Sequence, residues 1–207
     1  MRFHVILAPF LFLCPVIARA QSTDPVDKNF GGGFIGGQVV LGQAIKVGES
    51  SPGSAYMFGL DAGYVMKRDT WNRIELGLEI DTGKASYKDK DFDTNVDINL
   101  DMVTMIKAGY GYSLGDHAFG VFRLGVGIAQ ASFDGKTNSG MKVRGGSSSG
   151  VASMLAWDVV TPASDNVDFN FGVSFRMINF NFKDMPGNTG SFQLNIPAIY
   201  AGARVRL

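Results

Sequence analysis

The chain is almost without cysteine. Its one cysteine, Cys14, lies in an amino-terminal segment with the features of a removable leader. The mature chain therefore offers no disulfide, no thiol nucleophile and no thiolate metal site. Histidine is nearly as scarce, with His4 in the same leader and His117 beyond it. There is no basic surplus. Without Arg2 and Arg19 the 19 basic residues fall to 17, against 19 acidic ones, a net charge of −2. No basic surplus therefore points to nucleic acid. Past the leader no run approaches 18 consecutive apolar residues, which argues against a transmembrane helix. Helical periodicity is poor throughout.

What is present begins with the leader. Arg2 supplies a positive start, Val5 to Ile17 an apolar stretch, and Ala18-Arg19-Ala20 a small-x-small cleavage site. Residues 1–20 are thus a signal peptide and Gln21 the expected mature start. The apolar stretch of about 13 residues is short of the roughly 20 that span a bilayer. Leu13 before Cys14 is bulkier than a lipidation motif accepts. Residues 21–29 are too few for a domain, and 30–207 fit one.

The chain is rich in glycine, at 27 residues, and in aromatics. Its dominant pattern has a period of two, the signature of a strand with one apolar and one polar face. The final segment shows it most plainly. Ile199, Ala201, Ala203, Val205 and Leu207 share one parity, while Tyr200, Gly202, Arg204 and Arg206 share the other. The alternation runs to the carboxyl terminus with no tail. Seven further strands are expected, clearest around Tyr56–Lys67, Arg73–Asp81 and Asp97–Ala108. The others centre on Phe34–Ile45, Phe122–Ala129, Val151–Val159 and Asp168–Met177.

Two strands change phase. After Met177 the apolar set moves to Ile178, Phe180 and Phe182, and before Pro197 it lies on Phe192, Leu194 and Ile196. A one-residue bulge near each point is expected, since bulges shift parity by one and can accommodate proline. Short connections at 67–72, 113–117 and 161–167 alternate with longer ones at 47–54, 88–95, 134–147 and 184–190. The run Gly145–Gly150 reads as a mobile loop entering the sixth strand.

Alternation alone leaves open which face meets the surroundings. A secreted calycin-type carrier of an apolar ligand would hide the apolar face, whereas a membrane barrel would expose it. Three features favour the membrane. Glycine recurs on the polar face, at 59, 63, 77, 83, 109, 125, 127 and 172, as a crowded lumen would require. Aromatics gather near strand ends on the apolar face. Tyr64, Tyr110, Tyr112, Trp157 and Phe169 form one expected girdle, and Tyr56, Phe58 and Phe180 the other. The terminal strand has no packing helix.

Leader, eight alternating strands, short-turn and long-loop order and apolar terminal strand together resemble the small outer-membrane barrels of the OmpA and OmpX type. The resemblance is architectural and covers nearly all of the mature chain. It implies an all-β, eight-stranded antiparallel up-and-down transmembrane β-barrel in a bacterial outer membrane, with residues 21–29 a short periplasmic segment. It also implies contact with outer-membrane lipid and lipopolysaccharide, and insertion by the barrel-assembly machinery, which reads the last strand. Ile199, Val205 and Leu207 would form that insertion signal. Leu207 departs from the family, where the last residue is usually aromatic.

Charged residues on the inward face are the candidate site. Asp61, Glu75, Glu79, Asp81, Asp97, Asp101, Asp158 and Asp168 would face Lys67, Arg73, Lys107, Arg123, Arg176 and Arg204. An eight-stranded barrel is just wide enough to be filled by its own side chains, so these charges must pair or stay hydrated. An ion-pair plug is the simplest expectation, with a gate or narrow ion path as the alternative. Hairpin register should set Asp81 near Asp101 and Asp61 near Glu79, with Arg123 and Arg176 neutralising that cluster.

Other motifs fall short. Asp89-Lys90-Asp91-Phe92-Asp93 has the spacing of a calcium loop, but Thr94 stands where glycine is needed and Leu100 where the bidentate glutamate belongs. Gly31–Gly33 lacks the strand-to-helix context of a nucleotide loop. Some relatives of the resembled class hydrolyse lipid A with histidine and serine at the outer rim. His117 lies in a turn expected on the opposite side. No enzymatic activity and no cofactor are expected, and the partner of the external loops is not legible. A scaffold presenting four loops is the expected role, with a narrow ion or solute channel as the rival.

Overall fold

The computed structural model describes residues 31–46, 50–67, 72–89, 94–115, 118–137, 142–181 and 191–207. Eight long strands carry the fold. They are β1 (Gly32–Lys46), β2 (Gly53–Lys67), β3 (Asn72–Asp89), β4 (Thr94–Ser113), β5 (Phe119–Thr137), β6 (Lys142–Ser164), β7 (Val167–Asn181) and β8 (Ser191–Arg206). Each pairs antiparallel with its sequence neighbours, and β1 also pairs with β8, from Phe34↔Arg206 to Lys46↔Leu194. The sheet therefore closes on itself and leaves no long edge exposed. Ser50–Ser51 add a short pairing to the end of β3. The described ends lie together, where the Leu207 amide donates to the Gly33 carbonyl at 2.9 Å.

The faces of the barrel are inverted relative to a soluble one. Ile35, Leu60, Tyr64, Leu76, Ile106, Leu124, Val126, Leu155, Phe169 and Val205 all point outward and are exposed. Charged residues point inward and are buried. No aqueous protein sustains an apolar belt of this extent around its circumference, whereas a bilayer requires one. The calycin-type arrangement is thereby excluded.

The strands are longer than a membrane needs. β4 and β6 span 20 and 23 residues, against about 9–11 for a tilted transmembrane strand. The excess lies at the end away from the termini, and the outward sequence marks where it starts. Going up each strand, outward apolar residues give way to polar ones: Leu41 to Gln43, Ile80 to Thr82, Met102 to Asp101, Ile128 to Gln130, Val151 to Ser149, Met177 to Asn179. Above that line the inward face also changes character. It is filled by Ala44, Ala85, Tyr87, Ile98, Leu100, Phe133, Phe180, Leu194 and Ile196, all buried in one apolar cluster. The lower storey is a membrane barrel with a polar lumen, and the upper storey has the ordinary polarity of a soluble barrel.

This inversion corrects several expectations. No bulge occurs near Met177 or Pro197, and the β7–β8 register is unbroken from Val167↔Val205 to Asn181↔Ser191. Ile178, Phe180, Leu194 and Ile196 keep the parity of the charged residues below them and point inward. The hydrophobic phase shifts because the exterior changes from lipid to water, not because the backbone slips. Phe180 accordingly does not join an external girdle. It is fully buried and meets Phe133 edge to face at 5.4 Å. The segment Gly145–Gly150 is strand, not loop, paired to β5 through Gln130↔Ser149 and Ala131↔Ser148.

A bulge does occur, but on β4. The β4–β5 register slips between Leu100 and Met102, and the β3–β4 register slips opposite it between Asp81 and Gly83. Asp101 and Met102 therefore both face outward. Ile98 and Leu100 turn into the lumen, and Asp97 and Asp101 turn out of it. The inward placement expected for those two carboxylates is overturned.

Candidate functional site: the charged lumen

The inward face of the lower storey carries the remaining charges. Asp61 comes from β2, Arg73, Glu75, Glu79 and Asp81 from β3, and Lys107 from β4. Arg123 belongs to β5, Asp158 to β6, Asp168 and Arg176 to β7, and Arg204 and Arg206 to β8. Period-two strands of fixed register converge these side chains on one axis. Gly36 and Gly59 make room for them. A Cβ on Gly59 would stand 1.9 Å from the Asp81 carboxylate, and one on Gly36 would stand 2.5 Å from that of Asp61.

The pairing is nearly continuous. Arg73 meets Glu75 at 2.9 Å. Glu75 also takes Arg123 at 2.7 Å and Arg204 at 3.2 Å. Arg204 reaches Asp61 at 3.1 Å, and Asp61 meets Lys107 at 3.5 Å. Lys107 turns to Glu79 at 2.5 Å, and Glu79 accepts from Arg176 at 2.9 Å. Arg176 continues to Asp81, which also accepts from Gln38 at 3.4 Å. Arg123 holds Asp158 on its other side and lies 3.3 Å from the Tyr200 hydroxyl. Arg206 pairs with Asp168 separately. Arg73 lies over the Phe119 ring at 4.3 Å and Arg204 over Phe34 at 4.5 Å. Those rings shield the network on the side of the termini.

Six acidic and six basic side chains share this lumen among the described residues, so it is neutral as a whole. None of the paired side chains is more than 10% exposed. Buried charges are tolerable only with such multiple partners.

The register sets Asp61 opposite Glu79, as expected. Asp81 instead lies opposite Val103, and Asp101 is outside, taking a hydrogen bond from Ser132 at 3.3 Å. Arg176 neutralises the upper carboxylates as expected, but Arg123 serves the lower pair, Glu75 and Asp158. Arg206, Gln38 and Tyr200 belong to the site without having been singled out. Arg206 was legible from its parity with Arg204, whereas Gln38 sits in a glycine-rich strand with weak alternation. The side chain of Lys67, His117, the Asp89–Asp93 motif as a site and residues 1–30 lie outside the described residues.

On the outer wall, Tyr64, Tyr110 and Phe169 are exposed near the terminal edge of the belt. Tyr112 stacks on Phe122 at 6.0 Å and receives the Trp157 indole N–H at 3.2 Å. Tyr110 donates to Asn72 at 2.6 Å. Tyr56 and Phe58 meet edge to face at 6.2 Å near the other edge. Ile199, Val205 and Leu207 face outward on β8.

This combination of a closed eight-strand ring, apolar exterior and charged interior defines a small membrane β-barrel of the outer-membrane type. No family model and no curated protein matches the sequence. Among solved structures the chain is similar to Neisserial surface protein A, at 14% identity and a TM-score of 0.53, over 84% of this chain and 97% of that one. It is also similar to the outer membrane enzyme PagL, at 15% identity and a TM-score of 0.50, over 81% and 97%. At these identities the likeness is one of fold.

Proposed function

We propose that this protein is a closed structural barrel of the bacterial outer membrane that carries an elevated platform of four loops for surface interaction. One observation carries the reading. The lumen of the membrane storey is crossed by a neutral, mutually paired set of buried side chains. The storey above it is filled by apolar ones. Neither half favours passage of a hydrated ion. The extended strands carry their upper ends clear of the bilayer, where connecting segments can serve recognition. Lipid and lipopolysaccharide are the surrounding partners in this reading, and the barrel-assembly machinery recognises β8 through Ile199, Val205 and Leu207. The role is not enzymatic. His117, the one histidine beyond the leader, falls in sequence between β4 and β5, which join at Ser113↔Phe119, the end opposite the apolar upper storey.

Planar-bilayer recording of the refolded chain tests this. The closed barrel gives no discrete conductance steps, and loosening it by Lys107→Ala with Arg176→Ala introduces them. Steps in the unmodified protein that change on Glu79→Gln would establish the channel instead.

A further inference from the structure

We propose that the outer wall of β2, β3 and β4 holds a binding site for the saccharide headgroup of an outer-leaflet glycolipid. The inference rests on the membrane placement argued above. Six outward side chains stand in two rows of three across these strands. Tyr56, Lys84 and Asn99 form the lower row, through Tyr56↔Lys84 and Lys84↔Asn99. Ser54, Ser86 and Asp97 form the upper row, through Ser86↔Asp97 and a 3.2 Å contact between the two serine hydroxyls. Together with Ala85 they line a groove of about 290 Å³.

The β4 bulge builds this grid. Were Asp101 paired in an unbroken ladder instead, Ile98 and Leu100 would stand beside Ser86 and Lys84, and the β4 side of the wall would be apolar. The Thr82 hydroxyl donates to the Leu100 carbonyl at 3.1 Å and braces the bulge from the neighbouring strand. Bulges that re-aim side chains are typical of sites.

Position and chemistry together select the occupant. The groove opens sideways, just above the line where the outer wall turns apolar. Phe58, Leu60, Leu78 and Ile80 lie directly beneath it and are exposed. A molecule with acyl chains on those residues would place its headgroup in the groove. The lining offers three hydroxyls, an amide, an ammonium, a carboxylate and one aromatic ring, a set of paired donors and acceptors. Lys84 and Asp97 cancel, so the groove has no net charge to hold a phosphate dianion. A neutral sugar fits it better.

The full chain in detergent micelles, analysed by native mass spectrometry, tests the site. The probes are three lipids with identical acyl chains: monoglucosyl diacylglycerol, diacylglycerol and phosphatidic acid. The wild type should retain the glucosyl lipid about tenfold over diacylglycerol. Tyr56→Ala with Asn99→Ala should bring the two to parity, and Ser54→Trp, which fills the groove from its rim, should do the same. Gln193→Ala, on the opposite wall, should leave the preference intact. Equal retention by the wild type, or a preference that survives both groove variants, overturns the proposal. Stronger retention of phosphatidic acid overturns it in favour of an anion site. A heat-modifiable gel band and the conductance recording report separately on the barrel itself, so failure of the site and failure of the membrane reading remain distinct.

Discussion

Arg123→Leu is the sharpest probe of the lumen. Arg123 is buried on β5 and bridges Glu75, at 2.7 Å, to Asp158. Its loss leaves the two carboxylates in unequal positions. Glu75 keeps Arg73 at 2.9 Å and Arg204 at 3.2 Å. Asp158 is fully buried, and its second oxygen already has no hydrogen-bond partner among the described residues. Removing one member of a buried pair costs about 3–5 kcal/mol, because the other charge stays desolvated and uncompensated. With a urea slope of about 2 kcal/mol per molar, that lowers the unfolding midpoint by about 1.5–2.5 M. The assay is urea unfolding of the folded barrel in vesicles, read by Trp157 and Trp71 fluorescence and by the heat-modifiable band. Adding Asp158→Asn to Arg123→Leu should restore about 2 kcal/mol, since coupled neighbours do not add. An Arg123→Leu variant within about 0.5 kcal/mol of the wild type, or no recovery in the double variant, would refute the network argument.

Other perturbations separate the storeys and the faces. Leu124→Arg places a cation in the middle of the outward belt at a residue 64% exposed. It should cost about 2–4 kcal/mol in vesicles, where a water-facing site would register almost nothing in the same titration. Asp101→Asn should change stability by less than about 0.5 kcal/mol, because the bulge puts this carboxylate outside the lumen. A loss like that of Glu79→Leu would place it back inside. Phe180→Ala removes a fully buried ring packed on Phe133 and should cost about 3–5 kcal/mol by the same unfolding assay. Gly59→Ala drives a methyl group into the carboxylate held by Arg176. It should cost about 1–3 kcal/mol, and substituting Asp81→Ala in the same chain should recover part of the loss.

Much of the fold is legible in local pattern. The apolar–polar alternation in Tyr56–Lys67, Arg73–Asp81 and Phe122–Ala129 assigns the faces observed, because side chains alternate across a strand whatever it pairs with. The balance of charge on the polar parity implies a self-neutralising lumen, and that is what Asp61, Glu75, Glu79, Lys107, Arg176 and Arg204 form. Clustered glycines on that parity mark where the interior is crowded, as Gly36 and Gly59 show.

What pattern could not supply was the environment of each face at each height, or the pairing of particular residues. The same sequence signal, an apolar residue on a new parity, arises at Ile178 from a change of solvent and at Ile98 from a bulge. Only closure of the sheet distinguishes them, because it fixes which parity points to the axis all the way up every strand. Register likewise decided that Arg123 serves Glu75 and Asp158, because Gly109 on β4 aligns with both Glu75 and Arg123 and leaves the space between them open, while the slip on β4 reassigns only the partners above it. Local alternation thus determined a two-faced, strand-built chain. The closed ring, with lipid below and water above, decided which charges meet and where the apolar core lies.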